Sequence, residues 1–410
     1  MTTKPSSDVV VVGAGLAGLT AAAYLAANGH TVTVLERSAH PGGQAVTDER
    51  NGYRFNRGPH ALYLGGAAAA ALTELGIGLP GAAPATGGRI LIDGELHRAP
   101  AGPLSLLATG AFGVRDKVEL ARVLASLPRV RPETLAETTA AEWIDATVQR
   151  TRPRQLLTAL VRLATYSNVP ETLSADVAVH QIQLALGPGV RYLDGGWQRL
   201  IDQLSARPGI EIVTASDDTG GELPEARVVI VAVGNAREAG RLLGRSFDVG
   251  PAAAVSVQDL GLTQAPPHGF VLGGDVPFYL SDHSTASGLA PDGGHSVTAI
   301  QYLGTAGGPD AEPDAAALAT WVDMAGIDPA TVAERRRMHR MAAATAVPTA
   351  DRGGMAGRPA VDATSHDGVF VAGDWVGPTG HLADAAVASA RAAAMLASRH
   401  LERRPRVVPT

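Results

Sequence analysis

Apolar and polar positions fall into two regular regimes along this chain. Near the start, Val9-Val10-Val11-Val12 is an unbroken β-branched run that stops at Gly13-Ala14-Gly15. An Ala-rich helical stretch follows from Leu19 to Ala27, closed by Asn28-Gly29, and Thr31-Val32-Thr33-Val34-Leu35 reads as a second strand. Val228-Val229-Ile230-Val231 and Gly368-Val369-Phe370-Val371 repeat the buried-strand pattern far downstream. Between them, Leu104 to Leu127 and Thr134 to Leu186 carry apolar residues at helical spacing, with breaks expected at Pro128, Pro132, Pro153 and Pro170. The stretch Gly65 to Ala85 reads as a helix and loop. Residues 252–303 read as strands at Ala254–Val257, Gly269–Leu272, Val276–Leu280 and Ser296–Ile300, and two further helices are predicted at Pro313 to Ala325 and Pro329 to Ala343.

The first strand, turn and helix stand in the order that binds a dinucleotide. In Gly13-Ala14-Gly15-Leu16-Ala17-Gly18, Gly13 permits a tight turn, Gly15 lets backbone N–H groups of the Leu16-Ala17 turn approach a pyrophosphate, and Gly18 lets helix and strand lie close. The second strand ends in Glu36, about 20 residues beyond the turn, where a carboxylate takes ribose hydroxyls. An acid there repels a 2′-phosphate, which favours a cofactor of the FAD or NAD type over NADP. Far downstream, Ala372-Gly373-Asp374 offers a second grip suited to a long ligand.

After Glu36 come Arg37, Pro41-Gly42-Gly43-Gln44-Ala45-Val46-Thr47 and Phe55-Asn56-Arg57-Gly58-Pro59-His60-Ala61-Leu62-Tyr63. Together with Tyr192-Leu193-Asp194-Gly195-Gly196-Trp197, Val231-Ala232-Val233-Gly234 and Gly380-His381-Leu382-Ala383-Asp384-Ala385-Ala386, this run resembles the two-dinucleotide-binding-domain flavoproteins. That superfamily holds the phytoene desaturases, protoporphyrinogen oxidases and flavin amine oxidases, and the Gly-Gly-x-x-x-Thr and Gly-Pro-His elements look most like the first. The resemblance implies FAD as cofactor, with Gly42, Gly43 and Gln44 passing the isoalloxazine and Gly58, Pro59 and His60 running beside the ring. It implies a hydroxyl-binding role for Asp374 after Gly373, a Val213 backbone contact to adenine, and a helix from near Leu382 and Ala385 aimed at the pyrimidine edge. His60 is the first candidate for a proton acceptor, and His381 could donate to reduced flavin. Related proteins insert a longer β-meander before Ala226, where this chain has only the polar link 216–221.

The expected fold is therefore α/β, a discontinuous Rossmann-like FAD-binding domain (1–92, 187–250, 360–402) with an inserted α+β substrate domain (93–186, 251–359) and a tail (403–410). The 410 residues, 45% of them hydrophobic, can bury two cores, and a net charge of −6 argues against nucleic acid. With no Cys there is no disulfide, thiolate metal site or Cys nucleophile. No signal core or membrane span is evident, so a cytoplasmic location is expected and peripheral membrane contact stays open.

The implied activity is a desaturase or dehydrogenase passing hydride from a hydrophobic small molecule to flavin. The only lysines are Lys4 and Lys117, so the lysine–water pair common in flavin amine oxidases has no counterpart near the ring. A flavin amine oxidase, a net isomerase using reduced FAD, and a non-enzymatic lipid escort resembling GDP-dissociation inhibitors remain alternatives. His283 and His180 are weaker candidates, read as a solvated loop His and a bystander. Tyr192, Phe278, Tyr279 and Tyr302 read as core, Glu334-Arg335-Arg336-Arg337 as a solvated helix face, and Arg403-Arg404-Pro405-Arg406 as a frayed end.

Overall fold

The structure is a computed structural model and describes residues 7–100, 102–216, 222–304 and 313–403. Residues 217–221 of the polar link and the tail from 404 lie outside the described residues.

Strand β1 (Val9–Val12) is wholly buried, which is why its four valines can run without alternation. It pairs in parallel with β2 (Val32–Leu35) on one side and with strand Val228–Val231 on the other. Ile210–Val213 extends the sheet beyond β2, and Val369–Val371 extends it beyond Val228–Val231. Three distant stretches of chain thus build one five-stranded parallel sheet. Helix α1 (Leu16–Ala27) packs on it through Leu19, Leu25 and its alanines, and the C-terminal helix Ala383–Arg403 packs there through Ala390, Ala393, Ala394 and Ala397. Small residues let these helices approach closely. A Cβ on Gly18 would run into the Gly13 carbonyl oxygen, and Gly13 itself turns at φ +105°. Both glycines are therefore dictated by geometry.

The second layer is a seven-stranded sheet in the order Val332–Ala344, Ala253–Leu262, His295–Leu303, Phe278–Asp282, Phe270–Gly273, Arg89–Ile92, Glu95–Arg98. Its four strands between 253 and 303 fall where strands were read above, each within a few residues. Arg89–Ile92, expected with the dinucleotide part, pairs into this sheet beside Phe270–Gly273. Helices Pro103–Ala108, Val114–Ser126, Ala140–Thr147, Thr151–Thr165 and Ala175–Leu186 form a separate cluster. Pro153 does not break the fourth of these helices: it sits in the first turn of Thr151–Thr165, where its missing N–H has no partner to lose.

One expectation fails outright. Residues 332–344 are not a helix but a long strand antiparallel to Ala253–Leu262. Pairing overrides the helix propensity of its Ala, Glu, Arg and Met residues. The charged run alternates accordingly: Arg335 and Arg337 face solvent, while Arg336 turns inward and is 5% exposed. Its guanidinium holds Asp259 at 2.7 Å, Asp48 at 2.5 Å and the carbonyls of Phe55 and Asn56. Arg335 and Arg337 are thus solvated as expected, on a strand rather than a helix, whereas Arg336 is a buried clamp.

Candidate functional site

A cavity of about 370 Å³ runs from Glu36, just past the C-terminal end of β2, to His381 before the C-terminal helix, and the seven-stranded sheet contributes Met341 and Ala343 to its wall. The segments that frame it are those in which the sequence motifs lie.

At one end, α1 begins at Gly15 with no side-chain cap and no acid in its first turn. Its first N–H groups are left for an outside acceptor. A Cβ on Gly15 would meet nothing within 4 Å, so the approach is open. Beside it, Glu36 is held in place: its Oε2 accepts the Ala14 N–H and its Oε1 the Ser38 N–H, both at 2.8 Å. A carboxylate has about four lone-pair sites, so both oxygens keep capacity for vicinal hydroxyls. Uncapped N–H groups next to a fixed carboxylate suit a pyrophosphate and a ribose.

Gly13, Gly15, Leu16, Ala17, Glu36, Arg37, Gly43, Gln44, Gly58, Pro59, His60, Gly234, Gly373, Asp374, His381 and Leu382 all line the cavity. Gly18, Gly42, Val213 and Ala385 do not. Gly18 sits under the turn, Gly42 shapes the loop at φ +136°, and Ala385 is fully buried. The Val213 carbonyl accepts the Glu36 N–H at 2.8 Å, so this residue positions Glu36 and does not itself line the cavity.

At the other end, Asp374 is half-buried and its carboxyl is pushed up by desolvation, against two bonds from the Thr345 hydroxyl and N–H. Arg358, buried and lowered to about 10 by that burial, donates to the carbonyls of Asp374 at 3.0 Å and Gly380 at 2.8 Å. It therefore ties the two halves of the C-terminal motif together, which nothing in the local sequence announced. Asp384, raised to about 6 by burial, accepts the Ala68 N–H at 2.7 Å and so caps α2 (Ala67–Glu74) from another helix.

The two candidate histidines are set by backbone carbonyls. His60 Nδ1 lies 2.9 Å from the Gly58 carbonyl, and the ring meets Trp197 edge-on at 4.8 Å. A carbonyl can only accept, so Nδ1 carries the hydrogen and Nε2 offers a lone pair. Burial lowers the His60 pKa, outweighing the Gly58 and Gln44 carbonyls, with the Arg336 charge adding to the fall. His381, 1% exposed, donates Nε2–H to the Thr165 carbonyl at 3.0 Å, and burial lowers it to about 4. Its neutral ring presents a bare Nδ1, so the expected donation to flavin is corrected: His381 is an acceptor here.

Tyr192, Phe278, Tyr279 and Tyr302 are core residues, as read, whereas Tyr63 and Tyr166 line the cavity unannounced. Tyr166 and Leu382, at φ +54° and +53°, are non-glycine residues held in the left-handed region at the cavity wall. His180 is half-buried, lowered by burial, and does not line the cavity. His283 is not solvated: it is buried and stacked on Tyr192 at 4.2 Å, and burial lowers it to about 4. Between pH 6.5 and 4 the unfolded chain therefore binds a proton at this residue that the folded chain does not, so stability falls as pH falls through that window. We expect His283→Phe, which keeps the stack, to remove about 3 kcal/mol of this acid-side loss, read as a shallower pH dependence in denaturant unfolding.

Comparison with known proteins agrees with this geometry. Residues 11–75 match the NAD(P)-binding Rossmann-like domain family. A phytoene dehydrogenase of Streptomyces griseus is 53% identical over 58 residues, 14% of this chain and 11% of that protein. The chain spans between 10% and 20% of the length of curated relatives it matches. Among solved structures, cyclohexylamine oxidase from Brevibacterium oxydans superposes with a TM-score of 0.70 at 16% identity, covering 97% of this chain and 100% of that one. A Rab GDI from Plasmodium falciparum gives 0.61 at 12%, covering 98% and 99%. A Rossmann-like N-terminal segment is thus set in a fold that this chain shares end to end with cyclohexylamine oxidase and with Rab GDI.

Proposed function

We propose that the protein binds FAD and oxidises a hydrophobic small molecule, in the manner of a desaturase or dehydrogenase. The observation that carries this reading is the single cavity joining Glu36 and the uncapped start of α1 to Asp374 and His381. The groups at its two ends suit a dinucleotide: the glycine turn would hold the pyrophosphate and Asp374 a hydroxyl. When bound, FAD supplies the acceptor for a hydride. The remaining work falls to the protein: Pro59, Tyr63, Tyr166 and Met341 exclude water and orient the reacting C–H bond. The second hydrogen leaves as a proton, for which His60 Nε2 is the base. His381 Nδ1, left without a partner at the cavity wall, would accept an N–H of the bound cofactor.

No lysine among the described residues approaches the cavity, since Lys117 lies on a surface helix with Nζ on the Leu107 carbonyl. This favours a dehydrogenase over an amine oxidase of the lysine–water kind. The Rab GDI likeness bears on the escort reading, in which the groove holds lipid and no flavin. A net isomerase would turn over anaerobically without an external acceptor.

His60→Gln should keep bound flavin while slowing anaerobic flavin reduction by about 100-fold or more. Because the base acts when neutral, the rate should fall as pH falls through the His60 pKa, placing the acid limb below pH 6.5. Stopped-flow reduction of both proteins across pH measures this, and an unchanged rate in the variant removes His60 from the reaction.

A further inference from the structure

The helical cluster carries an outward face that the proposed chemistry does not use. In the helix Val114–Ser126, Asp116, Leu120 and Val123 face the core. The opposite ridge should be polar in a water-facing helix. Instead Val114, Val118, Ala121 and Ala125, at successive four- and three-residue steps, are all exposed. The preceding helix Pro103–Ala108 adds Leu104 and Leu107, three apart on one side. Leu104 is 83% exposed, Leu107 69%, Val114 80% and Val118 46%. These tips are held outward rather than frayed. Leu106 between the two leucines is buried with Ala111, Phe112 and Leu120, and Lys117 Nζ ties the helices through the Leu107 carbonyl at 2.7 Å.

Charge says what covers this face. Arg115 and Arg122 run along one flank of the ridge and Lys117 along the other, and none of them forms an ion pair among the described residues. The acids on the same helix point away: Asp116 is buried on Arg150 and the Gly113 N–H, and Glu119 accepts the N–H groups of Gln149 and Arg150. The chain as a whole is net negative at −6, so the basic rim is a local feature. Aliphatic tips flanked by cations, with no aromatic or Met anchor among them, match a lipid boundary better than a protein interface.

We propose that this face, Leu104 and Leu107 together with the Val114–Val118 ridge, docks the protein on an anionic lipid surface. Binding is peripheral: no helix among the described residues is long and apolar enough to cross a membrane. The aliphatic tips enter the headgroup boundary while Arg115, Lys117 and Arg122 meet lipid phosphates.

The test is co-sedimentation of the full chain with vesicles of phosphatidylcholine alone or mixed with phosphatidylglycerol. The expected result is binding to the mixed vesicles that salt weakens. Both Leu104→Ser/Leu107→Ser and Arg115→Glu/Arg122→Glu should reduce the partition coefficient at least about tenfold, at unchanged melting temperature, because all four side chains are exposed. Binding that is absent, or equal for both variants and the parent, overturns the proposal. So does a parent that sediments as a dimer and a leucine variant that sediments as a monomer, which assigns the face to a second copy of the chain.

Discussion

Glu36→Arg should abolish stable FAD retention while leaving the fold in place. The carboxylate stands at the end of a fully buried strand and accepts two backbone N–H groups, so its direction is fixed before any ligand arrives. Hydrogen bonds to a charged group contribute about 1.5 to 3 kcal/mol each, and vicinal ribose hydroxyls can make two. An arginine also leaves the Ala14 and Ser38 N–H groups without their acceptor and places a donor where ribose presents donors. A loss of about 100-fold or more in affinity follows. Flavin absorbance after desalting and a titration of the apoprotein read this out. Since β2 is buried through Val32–Leu35 and not through Glu36, circular dichroism should be unchanged. Equal flavin occupancy in the variant and the parent contradicts the ribose assignment.

Arg336→Met should be the most destabilising single change outside the cavity. Asp259 is fully buried, and desolvation pushes its carboxyl up against the pull of the Arg336 charge and the Thr298 hydroxyl. Removing the cation strands that acid together with the Phe55 and Asn56 carbonyls. Breaking a buried pair in this way costs about 3 to 5 kcal/mol, whereas replacing both partners with apolar residues is often nearly neutral. Arg336→Met/Asp259→Leu should therefore recover much of the loss in urea unfolding. A single variant within error of the parent would show that the clamp carries no weight. The clamp also bears on function, since Phe55 and Asn56 end the hairpin that delivers Gly58, Pro59 and His60 to the cavity. Loss of Arg336 should loosen flavin binding even where the fold survives.

The same residue shows where sequence reading stops. Gly13, Gly18 and Glu36 were legible because their geometry is set within one strand–turn–helix unit of the chain. The strand Val332–Ala344 was not, because its composition favours a helix and its conformation is decided by Ala253–Leu262, some 80 residues upstream. Arg358 left no signal because it acts on main-chain carbonyls, which any sequence supplies. His381 was placed at the cavity correctly but its hydrogen-bonding sense was not. That sense depends on the Thr165 carbonyl, brought to it only by the tertiary fold. The aromatic wall was missed for the same reason: Tyr63 and Tyr166 face the cavity through a strand end and a helix C-cap whose direction no spacing reveals.

The central claim is that the two ends of the chain close on one FAD molecule. Titration of the purified apoprotein with FAD, followed by flavin fluorescence and by the melting temperature, tests it directly. One equivalent should bind, with the fluorescence changing in step and the melting temperature rising with free FAD. A protein that stays colourless after incubation with excess FAD, with an unmoved melting temperature, contradicts the claim.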